Sequence, residues 1–467
     1  MLEKFIKNRI IQALPFTPNE GQDELLHILS QFIISKDEQK TFVLRGYAGT
    51  GKTSLMAALV RAMKELQQSI VLLAPTGRAA KVLARYAQTP AYTIHKFIYR
   101  QNKLGTDAFS LSFNPHKNTI FIVDEASMIS GECNNNTFGT GVLLNDLIQY
   151  ISSGERCSLL LLGDDAQLPP VGTSLSPALN IDYLKGYGLN VTSYTLTQVA
   201  RQALDSSILS NATAIRKQIP SLSSINQYIH PHTFSFKFST DFQSFNGSDF
   251  IELLEQSYRE VGIEETIVLT RTNKRTNIYN EGIRARVLWR EDALSSGDRL
   301  LISKNNYFWT KDYEGIPFIA NGDMLEITRI RNWREMYGFQ FVDASLKAID
   351  YDWEIDVVLW LDTLTTDSPE SNYQLHRTLF DRISKDYPEL QHNRKKLIET
   401  IYESPYYNAL QIRFAYAVTC HKAQGGQWKH VFIDPSNIPI EEQDNNYFRW
   451  LYTAVTRATE KVYLLKY

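Results

Sequence analysis

The stretch Gly46-Tyr47-Ala48-Gly49-Thr50-Gly51-Lys52-Thr53 decides the fold, because it fits the phosphate-loop pattern GxxxxGK[ST] at every fixed position. It follows an apolar run at Thr41–Arg45 and opens a helical pattern, the setting that this pattern requires. We expect its amides to surround phosphates, Lys52 to reach the outer phosphates of ATP, and the Thr53 hydroxyl to ligate Mg²⁺. The predicted nucleotide-binding residues of the loop are Gly46, Ala48, Gly49, Thr50, Gly51, Lys52 and Thr53.

A second acidic element completes the pattern at Ile120-Phe121-Ile122-Val123-Asp124-Glu125. Four apolar residues predict a buried strand whose end delivers two carboxylates. We expect Asp124 to hold the Mg²⁺ shell and Glu125 to orient and deprotonate the attacking water. An exposed acidic strand end would be the better interpretation of this stretch alone, but the glycine loop upstream favours a hydrolytic site.

Strand and helix patterns alternate in both halves of the chain, which predicts an α/β class with two parallel sheets in series. In the first half the predicted elements are strands Ile70–Ala74, Thr119–Asp124 and Ser158–Gly163 and helix Arg78–Ala87. In the second half they are strands Thr266–Thr270, Phe414–Thr419, Val431–Asp434 and Lys461–Leu465 and helices Lys274–Leu288 and Tyr447–Ala458.

Two segments interrupt the alternation and predict insertions. The turn signal Leu104–Asp107 lies between short alternating runs, which favours a small hairpin at about residues 89–118. A larger insertion at about 295–410 contains three successive strand patterns, typical of a small β-barrel, and then a charged helical stretch at Ser371–Tyr402. We therefore predict one domain at residues 1–225 and a second at 226–467.

Composition limits the classes of function. The formal net charge is −2, so a nucleic-acid site must be a local groove rather than a generally basic surface. The cysteines Cys133, Cys157 and Cys420 are far apart and form no zinc pattern. Met1–Arg9 lacks an apolar signal core, and the longest aliphatic run, Leu159–Leu162, is too short to span a bilayer. These observations predict a cytoplasmic protein without a membrane partner.

Other polar residues are candidates for the nucleotide site. The Gln22 amide could bind an adenine edge, because it donates and accepts hydrogen bonds at once. Arg201 and Arg457 could supply the positive charge that phosphoryl transfer requires, a contribution of about 10³–10⁵ in rate. Taken singly, each of these three residues is better interpreted as a solvated surface side chain.

Several stretches resemble the ordered motifs of superfamily 1 DNA helicases in the form found in RecD-like and Dda-like enzymes. Gly163-Asp164-Asp165-Ala166-Gln167-Leu168-Pro169-Pro170-Val171 looks like the third motif, which implies that Gln167 senses the γ-phosphate. The other similar stretches are Ala74–Ala80, Thr93–Lys96, Thr419–Gly426 and Tyr452–Ala458.

The resemblance implies two RecA-like P-loop domains in tandem, a pin in the first insertion and an SH3-like β-barrel in the second. It implies that Phe109 or Phe113 is the wedge of the pin, although a core aromatic is an equal interpretation. Two positions depart from the family pattern. Ala200 stands where an aromatic residue usually precedes Arg201, and Gln427 stands where an acidic residue often contacts the ribose.

Residues at predicted loop–helix junctions are candidates for single-stranded DNA contacts, since hydroxyl, amide and basic groups suit phosphates. These candidates are Thr76, Arg78, Thr93, His95, Lys96, Asn273, Asn277, Asn321, Thr419, His421 and Lys422. Helix capping is an equal interpretation of Asn273, and a buried structural histidine is the alternative for His95 and His421.

These observations together predict a monomeric ATP- and Mg²⁺-dependent DNA helicase acting on single-stranded and forked DNA, alone or with other replication or repair proteins. Movement in the 5′→3′ direction is implied by the resemblance alone. An RNA-directed superfamily 1 helicase, a DNA translocase that removes bound proteins without unwinding, and a binding protein with an inactive nucleotide site are the alternatives. The pathway, whether repair or recombination, is open at this stage.

Overall fold

A computed structural model of the chain describes residues 1–101, 109–133, 138–199, 206–219, 235–311, 313, 318–366, 368–439 and 442–466. Two parallel β-sheets organise these residues into two lobes, and each lobe carries an insertion. The predicted α/β fold class, with tandem domains and a small barrel, is therefore confirmed. None of the helices in these ranges combines the length and the apolar character needed to cross a membrane.

The first lobe is built on six parallel strands in the order β3-β2-β6-β7-β1-β8. Its strands are β1 (Lys40–Gly46), β2 (Ile70–Ala74), β3 (Ala91–Thr93), β4 (Tyr99–Gln101), β5 (Phe109–Leu111), β6 (Ile120–Val123), β7 (Ser158–Gly163) and β8 (Asn190–Leu196). Its helices are α1 (Leu2–Ala13), α2 (Glu20–Ile34), α3 (Lys52–Glu65), α4 (Gly77–Ala87), α5 (Ile94–Ile98), α6 (Leu143–Ser152) and α7 (Ile181–Lys185). Strands β6 and β7 bury every residue because apolar clusters cover both faces of the sheet.

The hairpin insertion of the first lobe consists of β4 and β5, which pair antiparallel, while its turn lies outside the described residues. Phe109 is 4% exposed and packs against Phe138, Tyr307 and Phe318. Phe113 is 76% exposed just beyond the hairpin. Of the two wedge candidates, Phe109 is therefore a core aromatic, and Phe113 is the one available to a partner.

The second lobe is built on five parallel strands in the order β16-β10-β17-β18-β9. Its strands, including those of the barrel, are β9 (Phe242–Phe245), β10 (Thr266–Thr270), β11 (Arg299–Ile302), β12 (Met324–Met336), β13 (Phe339–Ala348), β14 (Glu354–Trp360), β15 (Leu410–Phe414), β16 (Ala417–Thr419), β17 (Trp428–Ile433) and β18 (Ala458–Leu465). Its helices are α8 (Ser207–Arg216), α9 (Phe250–Val261), α10 (Asn273–Arg286), α11 (Pro369–Ile383), α12 (Arg394–Tyr402) and α13 (Asn445–Val455).

Strands β11 to β15 close into a barrel inside the second lobe. Helices α11 and α12 pack on the outside of this barrel through Leu379, Ile383 and Ile401, which contact a cluster around Phe341 and Trp360. The barrel and the charged helical stretch of the predicted insertion therefore pack together as one unit.

Two sequence expectations need correction. Phe414–Thr419 is not one strand: Phe414 ends β15 in the barrel, and Ala417 begins β16 in the parallel sheet. The first domain also does not run to residue 225, because Ile208, Ala212 and Ile215 of α8 pack in the core of the second lobe. We therefore place the boundary before Ser206. In the sequence, α8 is the next element after β8, so only its packing partners show to which lobe it belongs.

Candidate nucleotide site and nucleic-acid cleft

The glycine loop between β1 and α3 adopts a conformation that side chains rarely tolerate. Gly49 and Gly51 have φ values of +76° and +85°. A Cβ atom on Gly51 would lie 2.8 Å from Nε2 of Gln22, and one on Gly49 would lie 3.0 Å from Leu209. The loop therefore needs glycine at both positions, where the positive φ lets the backbone wrap tightly before the helix begins.

A cavity of about 500 Å³, here called the P-loop cavity, opens at this loop between the two lobes. This volume lies within the range of about 300–1,000 Å³ that small-molecule sites occupy. Predicted site residues in its walls are Ala48, Gly49, Gly51, Lys52, Thr53, Asp124, Glu125 and Gln167 from the first lobe and Gln427 and Arg457 from the second.

Lys52 lies on the inner side of the loop. Its Nζ donates to the carbonyl of Tyr47 at 3.1 Å and also to the carbonyl of Gly46. Because both partners are uncharged carbonyls, no anion of the protein neutralises this ammonium in these contacts, and it can attract a bound anion. The ammonium therefore stands where phosphates would meet both it and the first amides of α3.

The two carboxylates of β6 differ in environment. Asp124 is desolvated, which together with the neighbouring Glu125 raises its pKa to about 6, although its Oδ1 accepts the Glu125 N–H at 2.8 Å. Glu125 itself has a φ of +51°, a conformation that costs energy in a residue other than glycine. Strain of this kind often marks functional positions, and here it turns the Glu125 side chain into the P-loop cavity.

The residues present fit Mg²⁺ only with the help of phosphate oxygens. Thr53 and Asp124 both line the cavity, and the buried Asp124 carboxylate has the oxygen chemistry that Mg²⁺ prefers. Within the described ranges no cluster of three or more metal-ligating side chains exists. We expect the ion to enter with the triphosphate, held by Thr53 and Asp124 on the protein side.

Gln167 and Arg457 close the cavity. Gln167 is 7% exposed, and its buried Oε1 has no hydrogen-bond partner, so this atom is available to a ligand. Arg457, on the second lobe, lies with its Nη1 3.7 Å from Oε1 of Glu125. The Arg457 side chain is also bound to the carbonyls of Thr453 at 3.1 Å and Gly426 at 3.2 Å. The structure thus brings a second-lobe cation to the first-lobe carboxylate.

Three predicted residues lie outside the walls of the P-loop cavity. Gln22 is 2% exposed; its amide donates to Thr50 O at 3.0 Å and accepts from Asn19 N, so it supports the loop from behind. Both ends of its side-chain amide are thus engaged within the protein, and its contact with adenine stays a prediction. Gly46 and the fully buried Thr50 likewise shape the loop without lining the cavity. Arg201 and Ala200 lie outside the described residues.

Helix α13 contributes contacts that the motif assignments missed. The Tyr452 hydroxyl binds the Ala48 amide at 2.8 Å and the Asp164 carboxylate at 2.6 Å. Thr453 binds the Leu168 amide at 2.9 Å. Both residues belong to the stretch Tyr452–Ala458 that was singled out for Arg457, but their side-chain roles require the packing of the two lobes.

A second cavity of about 230 Å³, here called the barrel-side cleft, lies where both lobes meet the barrel. Its walls contain candidate DNA-binding residues from three different regions of the chain. These are Thr76, Arg78, Thr93, His95, Asn321, His421 and Lys422. The fold therefore gathers seven of the eleven candidates in one place.

Thr76 and Thr93 cap helices that begin at the cleft. The Thr76 hydroxyl accepts the Ala79 N–H at 3.2 Å, and the Thr93 hydroxyl accepts the Lys96 N–H at 3.3 Å. Each threonine thus caps a helix and also lines the cleft. The N-terminus of α4, eleven residues long, adds positive potential to the wall beside Thr76.

Arg78 is held by groups from the second lobe. Its guanidinium lies 4.4 Å from the centre of the Trp428 ring and 3.6 Å from the Asp350 carboxylate, and its Nη2 donates to Gln427 O at 3.2 Å. Burial lowers the pKa of Arg78, with Asp350 opposing that effect. Arg78 is therefore engaged by an acidic residue of the barrel rather than exposed to solvent.

His95 and Lys96 are more enclosed than free phosphate-binding residues would be. Desolvation lowers the pKa of His95 to about 4, so its ring is neutral at pH 7 and packs edge-on against Phe138. The Lys96 ammonium lies 4.0 Å from the centre of the Tyr351 ring and outside the wall of the cleft. A stacking or hydrogen-bonding contact suits His95, whereas an ionic one does not.

Lys422 and Asn321 face each other across the cleft. Nζ of Lys422 donates to Oδ1 of Asn321 at 2.6 Å. Although Lys422 keeps exposed surface, the cleft walls desolvate its ammonium and, with Arg413 nearby, lower its pKa to about 8. Desolvation lowers the pKa of the neighbouring His421 as well.

Besides Lys96, three candidates lie away from the cleft walls. Asn273 is the first residue of α10, and the capping side chain is that of Thr272. Asn277 donates to Thr365 O at 3.3 Å on the surface. The carbonyl of Thr419 accepts the Lys422 N–H at 2.9 Å, so Thr419 shapes the loop that carries Lys422. Helix capping by Asn273, the alternative interpretation, is also not what the structure shows.

Comparisons with known proteins agree with this geometry. Residues 19–231 match the AAA domain family, and residues 414–465 match the UvrD-like helicase C-terminal domain. The first match contains the glycine loop and Gln167, and the second contains Lys422 and Arg457. Both halves of the P-loop cavity thus fall within family matches.

Relatives match the chain over different lengths. Protein R530 of Acanthamoeba polyphaga mimivirus is 24% identical over 95% of this chain and 99% of its own length. The ATP-dependent RecD2 DNA helicase of Deinococcus radiodurans is 31% identical over 43% of this chain, and the ATP-dependent DNA helicase dda of Enterobacteria phage T4 is 28% identical over 42%. This chain spans only 24% and 42% of the lengths of those two helicases.

Solved structures of Pif1 helicases cover nearly the whole chain at low similarity. The Bacteroides enzyme in complex with ADP-AlF3 and single-stranded DNA covers 96% of this chain and 92% of its own, with 13% identity and a TM-score of 0.45. The Candida albicans enzyme covers 97% and 95%, with 15% identity and a TM-score of 0.43. On the family matches and the helicase relatives, the chain is similar to the superfamily 1 DNA helicases, a family of ATP-hydrolysing enzymes.

Proposed function

We propose that this protein is an ATP- and Mg²⁺-dependent helicase that translocates 5′→3′ on single-stranded DNA and unwinds forked duplex. The observation that carries the proposal is the division of the P-loop cavity between two lobes. Lys52 and Glu125 stand on one lobe, and Arg457 stands on the other, 3.7 Å from Glu125. A ligand that bridges them stabilises lobe closure, and its cleavage removes that bridge.

In the proposed reaction each wall residue has a separate role. Lys52 and the loop amides hold the triphosphate, while Thr53 and Asp124 hold Mg²⁺, which neutralises phosphate charge. Glu125 orients the attacking water and takes its proton. Arg457 stabilises the charge that develops on the transferred phosphoryl group. The side-chain N–H groups of Gln167 can donate to that group, while its unpartnered Oε1 can accept from a water, so Gln167 responds to the presence or loss of the phosphoryl group.

The barrel-side cleft is the proposed track for the DNA strand. It lies at the same lobe junction as the P-loop cavity, and Thr76 and Arg78 on the first lobe face His421 and Lys422 on the second. When the lobes close and open, these two groups move relative to each other. Alternating grip by the two lobes would then move the strand in one direction.

The resemblance to RecD-like and Dda-like enzymes supports the 5′→3′ direction. The decisive experiment is strand displacement on duplexes with a 5′ tail or a 3′ tail, with and without ATP. ATP-dependent unwinding of the 5′-tailed substrate alone is expected. Unwinding from the 3′ tail alone would contradict the direction, and no unwinding with intact DNA-stimulated ATPase would favour the protein-removing translocase.

The choice between DNA and RNA has its own test. ATPase stimulation by poly-dT is expected to exceed stimulation by poly-rU at equal nucleotide concentration. The reverse order would favour the RNA-directed helicase.

We further propose that the protein acts as a monomer in the cytoplasm on single-stranded and forked DNA. Sedimentation with and without a forked oligonucleotide tests the monomer.

A further inference from the structure

Tyr452 joins three segments that belong to different parts of the P-loop cavity. Its hydroxyl donates to Oδ2 of Asp164 at 2.6 Å and accepts the N–H of Ala48 at 2.8 Å. Its ring is 1% exposed within the core of the second lobe. One second-lobe side chain therefore touches both the phosphate loop and the loop that carries Gln167.

The environment of Tyr452 keeps its hydroxyl a hydrogen-bond donor. Asp164 is 1% exposed, and burial raises its pKa. Its other carboxylate oxygen accepts the Ala166 N–H at 3.0 Å, which leaves Tyr452 as the donor to Oδ2. Burial and the adjacent carboxylate raise the pKa of Tyr452 well above 10, so the hydroxyl stays protonated at any working pH.

Neighbours of Tyr452 hold the same loop by its backbone. Thr453 accepts the Leu168 N–H at 2.9 Å, and Arg449 donates to Gln167 O at 3.2 Å. From another segment of the second lobe, Gln424 donates to Leu168 O at 2.7 Å. Arg457 follows Tyr452 by five residues, just beyond the end of the same helix. The position of α13 against this loop therefore sets the distance between Arg457 and the P-loop.

We propose that Tyr452 is a positioning residue that holds the P-loop cavity in its closed arrangement. By binding Ala48 and Asp164 together, it places Gln167 and Arg457 against the phosphate loop before the nucleotide arrives. The inference rests on the proposed ATPase function and adds to it the contact that pre-forms the site. Without this contact, part of the binding energy of ATP must be used to close the lobes.

The expected consequence is a change in KM without a matching change in kcat. The apparent affinity of a ligand falls with the fraction of protein in the binding-competent state. Hydrogen bonds to charged groups are strong enough that loss of this one is expected to raise KM for ATP about tenfold. At saturating ATP the lobes close in the variant too, so kcat should remain within about twofold of the wild type.

The test is Tyr452→Phe, which keeps the ring packing, measured by DNA-stimulated ATPase across ATP concentrations. The matched control is Tyr447→Phe on the same helix, whose ring faces Arg271 within its own lobe. Thr453→Val, which removes the hydroxyl that receives the Leu168 amide, should raise KM in the same direction. Thermal unfolding shows whether each variant is folded. If Tyr452→Phe is unfolded, the Thr453→Val result decides.

A fluorescent ADP analogue separates failure of this inference from failure of the proposed function. A wild-type protein that neither binds the analogue nor hydrolyses ATP would contradict the proposed function itself. If the wild type is active, an unchanged KM in folded Tyr452→Phe would overturn the role of Tyr452. A fall in kcat at unchanged KM would also overturn it, because Tyr452 would then act in the chemical step.

Discussion

Nη1 of Arg457 lies 3.7 Å from Oε1 of Glu125, although the two residues are on different lobes. Arg457 is 4% exposed and is fixed by the carbonyls of Thr453 and Gly426. The cation is therefore already oriented and desolvated where phosphoryl charge would develop. A preoriented group of this kind needs little reorganisation during the reaction, which is the condition for strong electrostatic stabilisation.

Replacement of Arg457 by lysine should lower kcat for DNA-stimulated ATP hydrolysis by about 10³-fold, because an ammonium cannot reproduce the planar, bidentate guanidinium. Binding of a fluorescent ADP analogue should change by less than about tenfold. The control is Arg259→Lys on α9, an exposed arginine of the same lobe. A kcat near the wild-type value in Arg457→Lys would assign the guanidinium to packing rather than to the reaction.

Lys52→Ala should abolish DNA-stimulated ATPase and leave binding of single-stranded DNA nearly unchanged. The lysine belongs to the P-loop cavity and not to the barrel-side cleft, so it acts on phosphates of the nucleotide alone. Lys64→Ala, at an exposed position near the end of the same helix, is the matched control. ATPase turnover that persists in Lys52→Ala would mean that hydrolysis occurs elsewhere. Fluorescence anisotropy with a labelled oligonucleotide measures the binding.

The sequence was sufficient to predict the fold because local signals were strong and agreed with each other. The continuous apolar runs Ile120–Val123 and Leu159–Leu162 favour strands that are buried on both faces of a parallel sheet. The glycine loop between Thr41–Arg45 and the helix from Lys52 indicated a phosphate-binding site. The predicted residues that line the two cavities were therefore found as short motifs, each with its own spacing.

Contacts between segments that are distant along the chain could not be predicted from the sequence. The link from Tyr452 to Asp164 spans 288 positions, and no local pattern encodes such a pair. Gln22 was assigned to adenine because its side chain suits that edge, but it is also suited to the Thr50 carbonyl that it binds. The acidic partner of Arg78 comes from the loop between β13 and β14, a stretch without any recognisable motif.

Asp350→Asn should strengthen binding of single-stranded DNA. Asp350 lines the barrel-side cleft, and its side chain is 5% exposed and lies 3.6 Å from Arg78 and 3.8 Å from Lys81. Its negative charge competes with DNA phosphates for both cations. Removing that charge should increase affinity for a dT oligonucleotide about three- to tenfold at about 0.1 M salt and steepen the salt dependence by about 0.7 in the log–log slope.

The matched control for this prediction is Asp352→Asn, which removes an exposed carboxylate from the same loop two positions later. Its effect on affinity should be less than about twofold, since the charge is solvated. Anisotropy titrations at several salt concentrations measure both affinity and slope. Weaker binding by Asp350→Asn would mean that Asp350 holds Arg78 in its binding position instead of competing for it.

The lowered pKa of Lys422 predicts that DNA binding depends on pH. Its pKa is lowered to about 8, so the free protein carries the charge below pH 8 and loses it as the pH rises through that value. A bound phosphate favours the charged form, so binding takes up a proton above pH 8. Affinity for single-stranded DNA should therefore fall by about tenfold between pH 7 and pH 9.

Lys422→Arg provides the test of that assignment, because a guanidinium stays charged over the whole range. The variant should bind with nearly constant affinity from pH 7 to pH 9, and its log–log salt slope should exceed that of the wild type at pH 9 by about 0.7. Neutral His95 adds no change in this range, since its pKa is about 4. A wild-type protein whose affinity is flat to pH 9 would show that the Lys422 ammonium does not contact the strand.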